Sequence, residues 1–155
     1  MKIADQVWIA AALLHLEHPT AADFSSRQIV ERAVQVAPFR TGLQVHISRH
    51  CVANRSPDPA DLRMLFATAR GRRRLWRPKD ECHPRRRGRT HPEREDLPPQ
   101  YRYLVDWYES RYLRPRKDPG RGAWALEYLR KCRPSRLTRE QIRYIAESHD
   151  LDFGG

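Results

Sequence analysis

In the first third of the chain, apolar residues recur at helical spacing in three blocks, and turn residues separate the blocks. Ile3, Val7, Ala11 and Leu14 form one stripe, widened by Trp8; the spacing predicts a helix from Ile3 to about Leu16 with Trp8 as a core anchor. His18-Pro19-Thr20 closes it, because the residue before a proline avoids the helical region. Ser25 then stands as an N-cap with Gln28 three residues on, a reciprocal pair that satisfies two orphan backbone donors. Phe24 is placed to staple onto Ile29 across the first turn. Ile29, Val30 and Ala33 make the buried side of this second helix through about Val36. Leu43, Ile47 and Cys51 repeat at i, i+4 and i+8 and define a third helix over about 41–52, with Thr41 and Gln44 as its capping pair. Its other side carries Gln44, Val45, Ser48 and Arg49.

The period changes after the loop Ala53–Pro59. Leu65–Ala69 and Arg73–Arg77 are short runs on either side of Arg70-Gly71-Arg72, a spacing that predicts a β-hairpin. Its tip would present Arg70, Arg72, Arg73 and Arg74, while Leu75 and Trp76 tie the return strand to the domain or to a ligand-facing rim. Between positions 78 and 100 lie five prolines, six basic and five acidic side chains, the composition of a linker. Basicity there peaks at Arg85-Arg86-Arg87-Gly88-Arg89, which reads either as a phosphate or minor-groove arm or as a solvated connector. From Tyr101 the pattern is helical again: Tyr101, Leu104, Val105, Tyr108 and Tyr112 share a face suited to a core or a dimer seam. A further segment carries Trp124, Leu126 and Leu129, and a final helix starts at Thr138 with Gln141 as its capping partner. The expected architecture is mainly α with a small β-hairpin wing. A winged helix-turn-helix domain spans 1–78, a Pro/Arg-rich linker 79–100 and a helical C-terminal region 101–155.

Charge narrows the partners. The formal net charge is +11 with a pI near 10.3, and Lys occupies only positions 2, 79, 117 and 131, so the excess is arginine. Clustered arginine favours a polyanion, nucleic acid first. Cys51, Cys82 and Cys132 lie far apart without a CxxC pair, and the start of the chain lacks a secretory layout. Both point to free thiols in a reducing compartment, hence a cytoplasmic, nucleoid-associated protein. No apolar run approaches the ~20 residues of a membrane helix, so no membrane partner is expected. Cys82-His83 with His91 lacks the paired close ligands of structural zinc, and His46 with His50 has no acidic residue at ligand spacing. Neither metal nor cofactor is expected. Asp80-Glu81 and the Glu93/Glu95/Asp96 group sit in the linker, and no GxxxxGK[ST] loop occurs, so the chain does not read as an enzyme.

Three helices followed by a basic hairpin is the order of a winged helix-turn-helix. The runs Val7-Trp8, Phe24-Ser25-Ser26, His46-Ile-Ser-Arg-His-Cys-Val-Ala-Asn54 and Gly71-Arg-Arg-Arg-Leu-Trp-Arg-Pro78 resemble an uncharacterised prokaryotic winged-helix-like family. Relatives of that domain are found alone or beside restriction-type nuclease domains. The resemblance covers roughly half the chain and transfers no catalytic residue. It implies binding of double-stranded DNA through the third helix and the wing, in transcriptional regulation or host defence.

On that expectation Thr41, Gln44, Val45, Ser48 and Arg49 line the major-groove side, Val45 against a thymine methyl and Arg49 toward guanine or phosphate. Arg70, Arg72, Arg73 and Arg74 hold phosphates or the minor groove, joined by Arg85, Arg86 and Arg87. Two other classes stay open. A protein-interaction module would dock to a nuclease or defence complex, or form a homodimer, through the C-terminal aromatic helices. An RNA-binding protein would stack single strands on Trp107 or Trp124.

Overall fold

The first helix is the axis of the fold. In the computed structural model, which describes residues 1–57 and 60–114, α1 (Ile3–Glu17) is buried without interruption from Ala4 to His15. The stripe expected from Ile3, Val7, Ala11 and Leu14 therefore understates it. Ala4, Ala10 and Ala12 fill the other faces, and their small side chains let neighbours approach from all sides, as a helix sealed all round requires. Trp8 is fully buried, with its ring edge-on to Tyr108.

α2 (Ser26–Val36) starts on the expected capping box: the Gln28 backbone N–H donates to Ser25 Oγ at 3.1 Å, and the Ser25 N–H donates to Gln28 Oε1 at 2.8 Å. It buries Ile29 and Ala33. Its C-terminal carbonyls meet a side chain from α1. The buried Gln6 amide donates to Ala33 O and Ala37 O at 2.9 and 3.0 Å, while Arg40 Nε donates to Gln6 Oε1 at 3.2 Å. One polar residue inside the core thus caps a neighbouring helix.

The hairpin is present, and it gains a strand that periodicity did not predict. β2 (Leu65–Ala69) and β3 (Arg72–Leu75) pair antiparallel, and β1 (Phe24–Ser25) adds to the other edge of β3, giving the order β1-β3-β2. Gly71 turns the tip at φ +69, a conformation open to glycine and strained for other residues. Between Ala67 and Ala69 the register slips by one residue at Thr68. Asn54 fixes the strand just before that slip, donating to Ala67 O at 3.0 Å and accepting from its N–H at 2.9 Å. The described residues are mainly helical with this small antiparallel sheet.

The expected linker is part of the fold. Met1–Arg114 forms one compact unit, with Leu97 buried in the same core as α1. Leu104 and Val105 of α4 (Tyr103–Trp107), with Tyr108 in the π-helical turn that follows, complete it. Tyr108 Oη donates to Trp76 O at 2.6 Å and Tyr112 Oη to Leu75 O at 2.7 Å, so this segment closes the end of β3. Proline content suggested an open connector. The buried anchors Arg86 and Leu97 override it. The segments around Trp124 and Thr138–Gln141, and with them most of the expected 101–155 region, lie outside the described residues. Among the described residues no helix is long and apolar enough to cross a membrane.

One core group ties this packing to pH. His15 is buried against Phe24 and Tyr112, and its Nε2 accepts the Leu75 N–H at 3.3 Å, which requires a neutral ring nitrogen there. Burial first, then the nearby Arg77 and Arg74, pulls its pKa from 6.5 to about 4. Below pH 6.5 the unfolded chain binds a proton that the folded one refuses. This contribution to stability is therefore complete above 6.5 and is lost as pH falls toward 4, by about 3 kcal/mol in all. Asp5, whose pKa burial raises, works in the opposite direction just above pH 3.8. Denaturant unfolding at pH 7 and pH 4.5 should show the loss, and His15→Asn should remove most of the slope between them. Equal pH dependence in that variant would clear His15 of the effect.

Candidate nucleic-acid interface

The third helix forms where expected but begins and winds differently. α3 (Leu43–Val45) runs straight into a π-helical turn, His46–His50, closed by the Cys51 N–H on His46 O at 3.0 Å. Thr41 and Gln44 do not cap it: Gly42 is the N-cap and no side chain bonds there. The Leu43 N–H is instead taken by Arg40 O at 3.1 Å, so the turn supplies the acceptor. A Cβ at Gly42 would come 2.8 Å from Ile3 Cδ1, the tip of a half-buried side chain.

Leu43, Ile47 and Cys51 are fully buried, as their spacing predicts. Thr41, Gln44, Val45 and Arg49 face solvent, Val45 at 38 % exposure. Ser48 is half-buried and its hydroxyl donates to Gln44 O at 2.8 Å, so it lies lower on this face than the others. Sealed on one side and polar on the other, this helix keeps the two-sidedness on which the sequence reading relied.

The arginines divide sharply. Arg73 and Arg86, both expected at the interface, are buried at 4 % and 3 % exposure. Arg73 Nε donates to Ile47 O at 3.1 Å, and its other nitrogens reach Ser48 O, Ala69 O and Arg72 O. Arg86 donates to Arg49 O and His50 O at 2.7 and 2.8 Å, to Leu62 O at 2.6 Å, and to Arg55 O and Ser56 O. Together they donate to the carbonyls of Ile47, Ser48, Arg49 and His50 at the end of the third helix, where few backbone donors remain and the dipole favours a cation. Burial holds both guanidinium pKa values below the usual value, and for Arg73 the neighbouring Arg55 adds to it. Both side chains lie beneath the exposed face and hold the end of the third helix in place.

Arg72 and Arg74 are engaged in ion pairs. Arg72 Nε donates to Asp23 Oδ1 at 2.8 Å, and Asp23 also accepts from Thr68 Oγ1 at 2.6 Å. The Thr68 bond, then the Arg72 bond, holds the Asp23 carboxyl below its usual range. Arg74 makes a two-pronged pair with Asp80, 2.6 Å on each prong, and lies over the Phe66 ring. Arg70, Arg85 and Arg87 are exposed and make no ion pair among the described residues. Arg55 joins them, at the foot of the third helix. Sequence reading passed over it as loop, although an arginine four residues beyond the helical pattern was the available signal.

His91, His83 and His46 are engaged in the fold. His91 bonds Glu109 at 3.0 Å and lies against the Trp8 and Tyr108 rings. His83 Nδ1 accepts the Arg85 N–H at 3.2 Å, and His46 Nδ1 bonds Gly42 O at 2.8 Å. Burial pushes the Cys51 thiol up to about 12, so it is inert as a nucleophile. No family model, curated protein or solved structure matches the chain. A functional reading therefore rests on the geometry of this surface.

Proposed function

We propose that the chain binds double-stranded DNA in the manner of a winged helix-turn-helix, with the third helix in the major groove and the hairpin tip on the backbone. One observation carries the reading. Gln44, Val45 and Arg49 stand exposed on a helix whose opposite side is sealed by Leu43, Ile47 and Cys51. The order helix, strand, helix, helix, hairpin supports it, as does the net charge of +11. Gln44 and Arg49 offer the paired donors and acceptors that base edges require, and Val45 offers an apolar surface for a thymine methyl. Arg70 at the tip supplies phosphate contact; Arg72, Arg73 and Arg74 fix the hairpin that carries it. Transcriptional regulation and host defence both accommodate such a module, by analogy with the resembling family.

Arg49→Ala is the direct test. The side chain is exposed and forms no ion pair among the described residues, so folding should change by less than ~0.5 kcal/mol, as at other surface sites. An arginine reading guanine is worth ~1–3 kcal/mol of discrimination, so the variant should lose preference for a duplex selected from a random pool while keeping most affinity for a scrambled one. Mobility shifts on both duplexes at one salt concentration decide it. Equal losses on both would make Arg49 a phosphate contact. No loss on either would remove this helix from the reading role, and absence of duplex binding by the unaltered protein would sink the proposal.

A further inference from the structure

The segment 85–89 is fixed in place with alternate arginines pointing in opposite senses. Arg86 is buried under the end of the third helix through five carbonyls, and Arg89 pairs with the buried Asp5 at 2.7 Å. Between and beside them, Arg85 and Arg87 are exposed. The backbone is bound as well: the Gly88 N–H donates to Asp61 O at 3.0 Å, Arg63 Nε to Gly88 O at 2.8 Å, and the Arg63 N–H to Arg89 O at 3.0 Å. Gly88 lies so close to the 61 backbone that a Cβ would come within 2.7 Å of Asp61 O.

Arg86 alone reaches the carbonyls of Arg49 and Arg55, so the backbones of 49, 55, 85 and 87 all gather within the length of one arginine side chain and its flanking residues. Arg49, Arg55, Arg85 and Arg87 are all exposed there and form no ion pair among the described residues, although the Asp61 carboxylate lies beside Gly88. An exposed run of arginines of this kind attracts a polyanion. Flexible basic tails reach phosphate at an entropic cost on binding; a segment ordered beforehand avoids it.

We propose that Arg85 and Arg87, with Arg55, form a preorganised clamp for the phosphodiester backbone of duplex DNA, next to the C-terminal end of the third helix. Arg86 is its positioning residue. This inference rests on the DNA-binding reading and adds to it a site that is neither the reader face nor the hairpin tip. The clamp sets where the strand runs relative to the third helix, so it supplies affinity that does not depend on base sequence.

The test uses the full chain and a scrambled-sequence duplex, measuring the dependence of log K on log salt. Arg85→Ala with Arg87→Ala should leave thermal unfolding unchanged and flatten the slope by ~2 units, at about 0.9 per lost phosphate contact. Gly88→Ala keeps every charge but displaces the segment, and it should also flatten the slope. If Gly88→Ala melts the protein, Arg86→Lys, which keeps the charge but lacks the planar fork, takes its place below the new melting temperature. A flattened slope in the displaced variants supports a placed clamp, because net charge alone would leave it intact. An unchanged slope in the double arginine variant, with the unaltered protein still binding steeply, overturns the clamp alone. Failure of the unaltered protein to bind duplex at all overturns the DNA-binding reading itself.

Discussion

Arg86→Ala should cost about 4 kcal/mol of stability, the order seen when a buried charge network loses one partner. This one guanidinium donates to five backbone carbonyls, from Arg49, His50, Arg55, Ser56 and Leu62, of which Arg49 O also accepts the Val52 N–H at 3.1 Å. Two effects compete. Burial of the cation is unfavourable, as the depression of its pKa by desolvation shows. Its removal, however, takes a donor from each acceptor, at ~1–3 kcal/mol for each one left without any partner that water cannot reach. The second effect should win, because Ala supplies no donor and the carbonyls come from three separate stretches of chain. Arg86→Lys should recover only part of the loss, since one compact ammonium cannot span five acceptors. Denaturant midpoints with unchanged m-values would measure both. A loss below ~1 kcal/mol in Arg86→Ala would show that water replaces the guanidinium freely, and the segment 85–89 would then lose its anchor as an explanation for its order.

Local signals in the sequence reported local structure well. Ser25 and Gln28 are three residues apart and bond each other, so the start of α2 could be read without knowing its neighbours. The hairpin was legible for the same reason, with Gly71 at the tip between two short runs. Thr41 and Gln44 carry the same spacing signal and fail. There the turn itself intervenes: Arg40 O takes the Leu43 donor, and no side chain bonds at the N-cap, Gly42. The two-residue strand β1 is too short to show a period, and it pairs with residues nearly 50 positions away.

The candidate site was legible in outline only. Leu43, Ile47 and Cys51 told which side of the third helix is sealed, and so which side Gln44, Val45 and Arg49 occupy. Charge could not tell which arginines are free. Arg85, Arg86 and Arg87 are identical in composition terms, yet the middle one is buried at 3 % exposure under carbonyls 24 to 37 residues distant in sequence. Arginine is almost never fully buried unless paired, and here the partners are backbone dipoles rather than carboxylates. A search for acid–base pairs along the chain misses them.

Tyr108→Ala should cost about 4 kcal/mol, within the range for truncating a large aromatic in a core. The ring is fully buried, edge-on to Trp8 at 5.5 Å and stacked on Tyr112 at 5.4 Å, so its loss opens a cavity beside the central helix. Its hydroxyl donates to Trp76 O at 2.6 Å, and burial first pushes its pKa well above the usual tyrosine value. Tyr108→Phe isolates that bond and should cost ~1 kcal/mol, leaving the ring contacts in place. The difference between the two variants therefore measures packing against α1. Because Trp76 follows β3 directly, the same truncation loosens the base of the hairpin whose tip carries Arg70. Tyr108→Phe should consequently bind duplex as the unaltered protein does, with the same salt slope. If Tyr108→Ala stayed stable while losing nucleic-acid binding, the ring would be stacking on bases and the C-terminal aromatics would belong to the interface instead of the core.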